Sequence, residues 1–146
     1  MTERTVFQSM SLRHVLSVAP NASVFDAACV MTRANFGSIL VIDSSNVLQG
    51  IVTERDMMTR VLAKALDPKT TAVSVIMTRN PHCIPPETKV TEAILLMMER
   101  GFRNLPIVGQ GNKIMGVFSS RDAMPHELQA AESLVEFNNQ INDSLG

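Results

Sequence analysis

Apolar and polar residues alternate along this chain with two periods, and each period occurs twice in the same order. In NASVFDAACVMTRANF (21–36), Val24, Ala27, Ala28 and Met31 fall on one helical face. In ETKVTEAILLMMERGF (87–102), Val90, Ala93, Ile94 and Met97 do the same. Ser23 or Asn21 is placed to cap the first of these helices. Short apolar runs rich in β-branched residues follow, SILVID (38–43) and NLPIVG (104–109), and read as strands. Turn residues SSN and QGN lead into VLQGIV (47–52) and KIMGVF (113–118), the returning strands of two hairpins. Ahead of the helices lie VLSVAP (15–20) and PHCIPP (81–86), extended pieces whose prolines make each an edge strand or an entry segment rather than a central strand. After the first hairpin, TERDMMTRVLAKAL predicts a helix from Thr53 onward, ended by Pro68.

The two halves superimpose in sequence. Residues 20–58 overlie 86–124 at an offset of 66 without a gap, and ten of the 39 positions are identical. Each unit reads β-α-β-β-α, so the fold class is α/β in the mixed α+β sense. One such unit leaves a sheet face uncovered, and two packed about a pseudo-twofold axis would bury it. The division expected is an N-terminal segment 1–14, a first repeat 15–66, a linker 67–80, a second repeat 81–124 and a helical extension 125–146.

Within the repeat one phrase stands out. GIVTERD (50–56) and GVFSSRD (116–122) share Gly, two apolar residues, a hydroxyl residue, a variable residue, Arg and Asp. Read as local structure, Thr53 or Ser119 caps a helix, and Asp56 or Asp122 reaches back to the cap amide. The glycine permits close backbone approach or a bulge. Read as chemistry, a helix start suits a phosphate, and Arg55 or Arg121 can pair with its oxygens. A carboxylate at Asp56 or Asp122 can accept hydrogen bonds from the vicinal hydroxyls of a ribose. The readings are compatible.

Two β-α-β-β-α units, each ending G-h-h-[ST]-x-x-D, resemble the cystathionine-β-synthase (CBS) domain pair, the Bateman module. The resemblance covers about residues 10–124. It implies a non-catalytic regulatory module that binds adenosyl ligands: AMP, ADP, ATP and, in some members, NAD-type dinucleotides or S-adenosylmethionine. It implies two clefts at the interface of the repeats. The first would use Thr53, Arg55 and Asp56 with Thr78, Ile84, Phe102 and Arg103. The second would use Ser119, Arg121 and Asp122 with Ser11, Leu16, Gly37 and Ser38. Arg103 stands where the first repeat has Gly37, so the first cleft is expected to bind the more highly phosphorylated ligand or to bind more tightly. The rival reading is a ligand-independent dimerisation module in which the phrase is only a cap.

Pro125 lies six residues after Ser119, too close to continue a helix capped there. A short turn at 120–124 and a fresh helix with Pro125 near its start are expected. The tail has Leu128, Ala131, Leu134, Val135, Ile141 and Leu145 at amphipathic spacing, to pack on its own domain or on a second subunit. Such modules commonly dimerise, so a homodimer and an unidentified protein target are the expected partners.

Composition narrows the rest. A net charge of −1 gives no basic surplus for nucleic acid. No apolar run reaches the length of a membrane span and no signal-peptide core is present, which reads as a cytoplasmic protein. Cys29 and Cys83 form no C-x-x-C pair and are expected as reduced thiols. His14, His82 and His126 lack metal-ligand spacing, and no nucleophile elbow or Gly-rich phosphate loop is present, so neither a metal nor a catalytic cofactor is expected. Ten methionines are present, and the Met57–Met58 and Met97–Met98 pairs on their helices read as core packing rather than as a partner surface.

Overall fold

The computed structural model describes residues 3–10 and 15–145, with side chains to residue 143. The chain forms two compact units. The first is Val15–His82; the second joins residues 83–145 to the N-terminal residues 3–10. The architecture is mixed α+β, with two sheets and a long C-terminal helix.

In the first unit, β1 (Ser17–Val18) runs parallel to β2 (Ser38–Ile42), which pairs antiparallel with β3 (Leu48–Thr53). A fourth strand, β4 (Thr78–Arg79), closes the order β1-β2-β3-β4. The helix α2 (Val24–Ala34) connects β1 to β2 and buries Val24, Ala27 and Met31. Of the two expected caps it uses Ser23, whose Oγ accepts the Asp26 N–H at 3.0 Å. Asn35 ends it in the left-handed conformation, φ 58°.

The second unit repeats the helix and hairpin of the first in the same register. Its helix α5 (Val90–Arg100) starts and stops 66 residues after α2, and Gly101 takes the left-handed cap at φ 75°. Its hairpin β5 (Asn104–Val108) and β6 (Ile114–Ser119) pairs Asn104 with Ser119, as Ser38 pairs with Thr53. Both hairpins shift register at the same place, between Val41 and Ile42 and between Ile107 and Val108. PHCIPP, expected as an edge strand or an entry segment, contributes one parallel bridge, Ile84 to Ile107, equivalent to Val18 against Val41.

The two cores contain equivalent residues. Val24, Ala27, Met31, Ile39, Val41 and Val52 are buried in the first, and Val90, Ala93, Met97, Leu105, Ile107 and Phe118 in the second. Of the methionine pairs expected in the core, Met97 is buried and Met57 packs against the first core, but Met58 and Met98 are exposed because each lies one helical step off the buried face.

Three expectations are corrected. The helix predicted over TERDMMTRVLAKAL is a short α3 (Glu54–Met57) that loosens into a π-turn, Met58–Leu62; Ala65 at φ 53° follows, so the helix stops before Pro68. The stretch 67–80, read as a linker, holds α4 (Val73–Ile76) and β4, and Val73, Ile76 and Met77 are buried in the first core. Residues 3–10, read as a separate segment, belong to the second unit through α1 (Val6–Ser9).

These last two pieces are counterparts. The Val73 N–H donates to Ala22 O at 2.8 Å and the Val24 N–H to Thr71 O at 2.9 Å. Likewise the Val6 N–H donates to Thr88 O at 2.8 Å and the Val90 N–H to Arg4 O at 3.0 Å. The segment that precedes each repeat in sequence therefore packs on the other repeat's unit. Val6-x-x-x-Met10-Ser11 and Val73-x-x-x-Met77-Thr78 are its sequence trace, at an offset of 67 rather than 66.

The short turn and fresh helix around Pro125 occur as expected: one 3₁₀ turn, Ser120–Asp122, then α6 (Pro125–Leu145). The near half of α6 packs on its own unit, with Ala131 fully buried and Leu128 against the core. The far half exposes Leu134, Phe137 and Ile141. The side chain of Leu145 lies outside the described residues. Among the described residues no helix is long and apolar enough to cross a membrane, and neither Cys29 nor Cys83 is joined in a disulfide.

Candidate ligand site

Both signature phrases fold as capping boxes at the end of a hairpin strand. In the first unit Thr53 Oγ1 accepts the Asp56 N–H at 3.2 Å, and Asp56 Oδ2 accepts the Thr53 N–H at 2.9 Å. These bonds fix the carboxylate against the backbone and bury Asp56. On the other side of Asp56 stands Arg60, its Nε 3.6 Å from Oδ1. The same guanidinium donates to the carbonyls of Ile76 and Met77 at 3.0 and 3.2 Å, at the C-terminus of α4. Thr78 follows, exposed, opposite Ile51.

Gly37 and Ser38 lie at the same end of the hairpin. Ser38 is buried and faces Thr53 in register, and Gly37 O accepts the Glu54 N–H at 3.1 Å. Leu16 packs against the first core, and its carbonyl accepts the Leu40 N–H at 3.2 Å. Arg55 is exposed, and no ion pair engages it among the described residues.

In the second unit Asp122 Oδ2 accepts the Ser119 N–H at 2.9 Å, and Ser119 Oγ accepts the Arg121 N–H at 3.3 Å. The short turn expected here begins no regular helix, so any charge complement for an anion rests on the exposed Arg121 rather than on a helix dipole. Burial pushes the Asp122 carboxyl up from its ordinary value, against the Ser119 N–H and the charges of Arg121 and Arg4. Phe102 and Arg103 are exposed just before β5, and Ile84 is buried beside Ile107. Ser11 lies outside the described residues, as does His14.

The first unit thus collects Thr53, Arg55, Asp56, Thr78, Leu16, Gly37 and Ser38, and the second Ser119, Arg121, Asp122, Ile84, Phe102 and Arg103. Sequence reasoning missed Arg60 and the pair Arg4–Glu127. Arg4 donates to both Glu127 oxygens at 3.2 and 2.7 Å and to Asp122 O at 3.1 Å. Arg60 has His126 at the equivalent position and Arg4 has Thr71, so the repeat itself gives no signal for either. Among the described residues no group of His, Cys, Asp and Glu could hold a metal ion.

The CBS domain family matches the chain twice, at residues 8–63 and 73–126. The chain belongs to this family and carries two copies of the domain. A CBS domain-containing protein of Arabidopsis thaliana, CBSCBSPB2, is 40% identical over 112 residues, 77% of this chain and 21% of its own length. The chain therefore spans about a fifth of that relative. An uncharacterized 17.7 kDa protein of Acidianus ambivalens is 36% identical over 118 residues, 81% of this chain and 70% of the relative. Among solved structures, a protein with CBS domains from Burkholderia ambifaria matches with a TM-score of 0.74 at 33% identity, covering 80% of this chain and 86% of the other. PAE2072 of Pyrobaculum aerophilum, solved in complex with AMP, matches with a TM-score of 0.79 at 19% identity, covering 89% and 99%.

Proposed function

We propose that this chain is a non-catalytic regulatory module that binds an adenine nucleotide at its signature turns and passes the bound state to a protein partner. The observation that carries this reading is the pairing of an anchored carboxylate with an unengaged arginine, built twice in the same register. Asp56 and Asp122 are each held by the N–H of their own cap, and Arg55 and Arg121 stand beside them in no ion pair among the described residues. An anchored, oriented carboxylate, buried at Asp56 and half-buried at Asp122, suits a ribose diol, and a guanidinium outside any ion pair suits phosphate. Thr53 and Ser119 hold the turns. Thr78, Ile84, Phe102, Ser11, Leu16, Gly37 and Ser38 supply the base-facing contacts, and Arg103 adds a phosphate contact. The ligand is AMP, ADP or ATP, with NAD and S-adenosylmethionine as adenosyl alternatives. Any signal comes from different ligand affinity for two arrangements of the chain.

The chain has no Trp and no Tyr. An adenine absorbance band in freshly purified protein, traced by chromatography and mass to a released compound, would support the reading and name a ligand. No band, followed by no heat of binding with AMP, ATP, NAD or S-adenosylmethionine, would overturn it. The second reading, a ligand-independent dimerisation module, draws on the exposed Leu134, Phe137 and Ile141 of α6. It requires a dimer whose affinity ignores every nucleotide.

A further inference from the structure

Asp122 sits on a turn of only three residues, with no regular helix behind it. Asp56, by contrast, begins a helix that continues as a π-turn to Leu62. Some other part of the second unit must hold the shorter turn in place. The side chain that reaches it is Arg4. Its Nη2 donates to the Asp122 carbonyl at 3.1 Å, and its charge also acts on the Asp122 carboxylate. Arg4 is itself held by Glu127, through Nε to Oε2 at 3.2 Å and Nη2 to Oε1 at 2.7 Å. Glu127 is 4% exposed, and its Oε1 also accepts the Met124 N–H at 2.8 Å, which fixes the start of α6. The Arg4 backbone is fixed too, since its carbonyl accepts the Val90 N–H at the head of α5.

We infer that Arg4 is the positioning residue of the second signature turn, and that Glu127 holds it in that role. Both residues lie outside the two family matches, which begin at 8 and end at 126. The clasp is thus made by residues that flank the two matched domains. It makes the placement of Asp122 depend on the start of α6, so an event at either is felt at the other. The consequence for nucleotide rests on the function proposed above; the positioning itself does not.

The test separates position from mere stability. Arg4→Met removes all three side-chain hydrogen bonds. The exchanged pair Arg4→Glu with Glu127→Arg restores an ion pair but cannot donate from residue 4 to the Asp122 carbonyl. Amide hydrogen exchange is read at Ser119, whose N–H donates to Asp122, with no nucleotide present. The Ser119 amide is expected to exchange about tenfold faster in Arg4→Met and to stay fast in the exchanged pair, even where the melting temperature recovers. Exchange at Ser119 that returns to the wild-type rate along with the melting temperature would reduce the clasp to a structural ion pair and overturn the inference. ATP titration then follows in an Asp56→Ala background. Wild-type-like affinity in Arg4→Met, with Asp122→Ala abolishing binding, would overturn the functional consequence alone. Absence of binding to the unmutated chain would sink the nucleotide reading and leave the exchange result to decide the positioning.

Discussion

Gly50 and Thr78 approach so closely that a β-carbon on Gly50 would stand 2.6 Å from the Thr78 carbonyl oxygen. Met77 Sδ would be 2.7 Å away on the same side. The methionine can swing clear, but the carbonyl belongs to β4, whose pairing with β3 places Gly50 opposite Arg79. Gly50→Ala must therefore push β4 off the sheet. The expected cost is about 1–3 kcal/mol, from overpacking against backbone. Gly116→Ala meets only the flexible end of Met10, at 2.8 Å, but starts from φ 151°, a conformation side chains rarely adopt. Its cost, about 1–3 kcal/mol, is strain rather than collision. Denaturant melts of both variants check this. In addition, Met77→Ala should rescue Gly116→Ala not at all and Gly50→Ala only in part. Full rescue of Gly50→Ala would show that the carbonyl is not the obstacle.

That glycine also shows where the sequence was readable and where it was not. The ungapped offset of 66 carried both helices and both hairpins, because a strand pair whose inner face is buried admits only one register; the register shift the hairpins share was not read from it. The capping boxes at Thr53 and Ser119 were legible for a similar reason: four consecutive residues contain the whole interaction. The crossed packing of 3–10 and 71–77 was not, since its partners are distant in sequence and its own repeat runs at 67. Arg4 reaching Asp122 is a contact across 118 residues between positions with no repeat counterpart. The loosening of α3 at Met58 left no mark either, as MMTRVLAKAL consists mostly of good helix formers.

Glu127 and Asp122 lie in one unit and should respond to acid in opposite senses. The Arg4 hydrogen bonds hold the Glu127 carboxyl below its ordinary value of 4.5, so its contribution is present above that pH and is lost as the pH falls through the folded value. Burial raises Asp122 above its ordinary 3.8, so its contribution is present below that pH and is lost as the pH rises through the folded value. Thermal melts of wild type against Glu127→Gln should show a gap that is widest near neutrality and narrows below about pH 4.5. Against Asp122→Asn, the wild type should lose ground as the pH rises above about 4. A gap for Glu127→Gln that does not vary with pH would mean the Arg4 pairing is not what holds that carboxylate ionised.

Arg103 occupies the position that is Gly37 in the other unit, exposed and just before the strand that faces Ser119. If it meets phosphate, the loss on Arg103→Ala grows with the charge of the ligand. About tenfold weaker ATP binding is expected, with a smaller change for AMP. Calorimetric titration of both ligands reads the difference. Equal affinities before and after the substitution would leave Arg103 a solvated turn residue and remove the basis for unequal sites.

The tail helix should divide into two parts with different work. Ala131 is fully buried and Glu127 is clasped by Arg4, so the near half of α6 belongs to the second core. Removing everything from residue 125 onward would open that core and is not a clean probe of association. Ala131→Asp should cost about 3–5 kcal/mol, because it buries an unpaired charge. Truncation after residue 136 instead removes Phe137 and Ile141, 59% and 40% exposed, while keeping Leu128 and Ala131 in place. Its melting temperature should stay near that of the full chain, as exposed positions contribute little to the fold. Light scattering on the same protein then reads association directly. If the truncated chain melts as early as Ala131→Asp, the far half of α6 supports the fold after all, and the division drawn here fails.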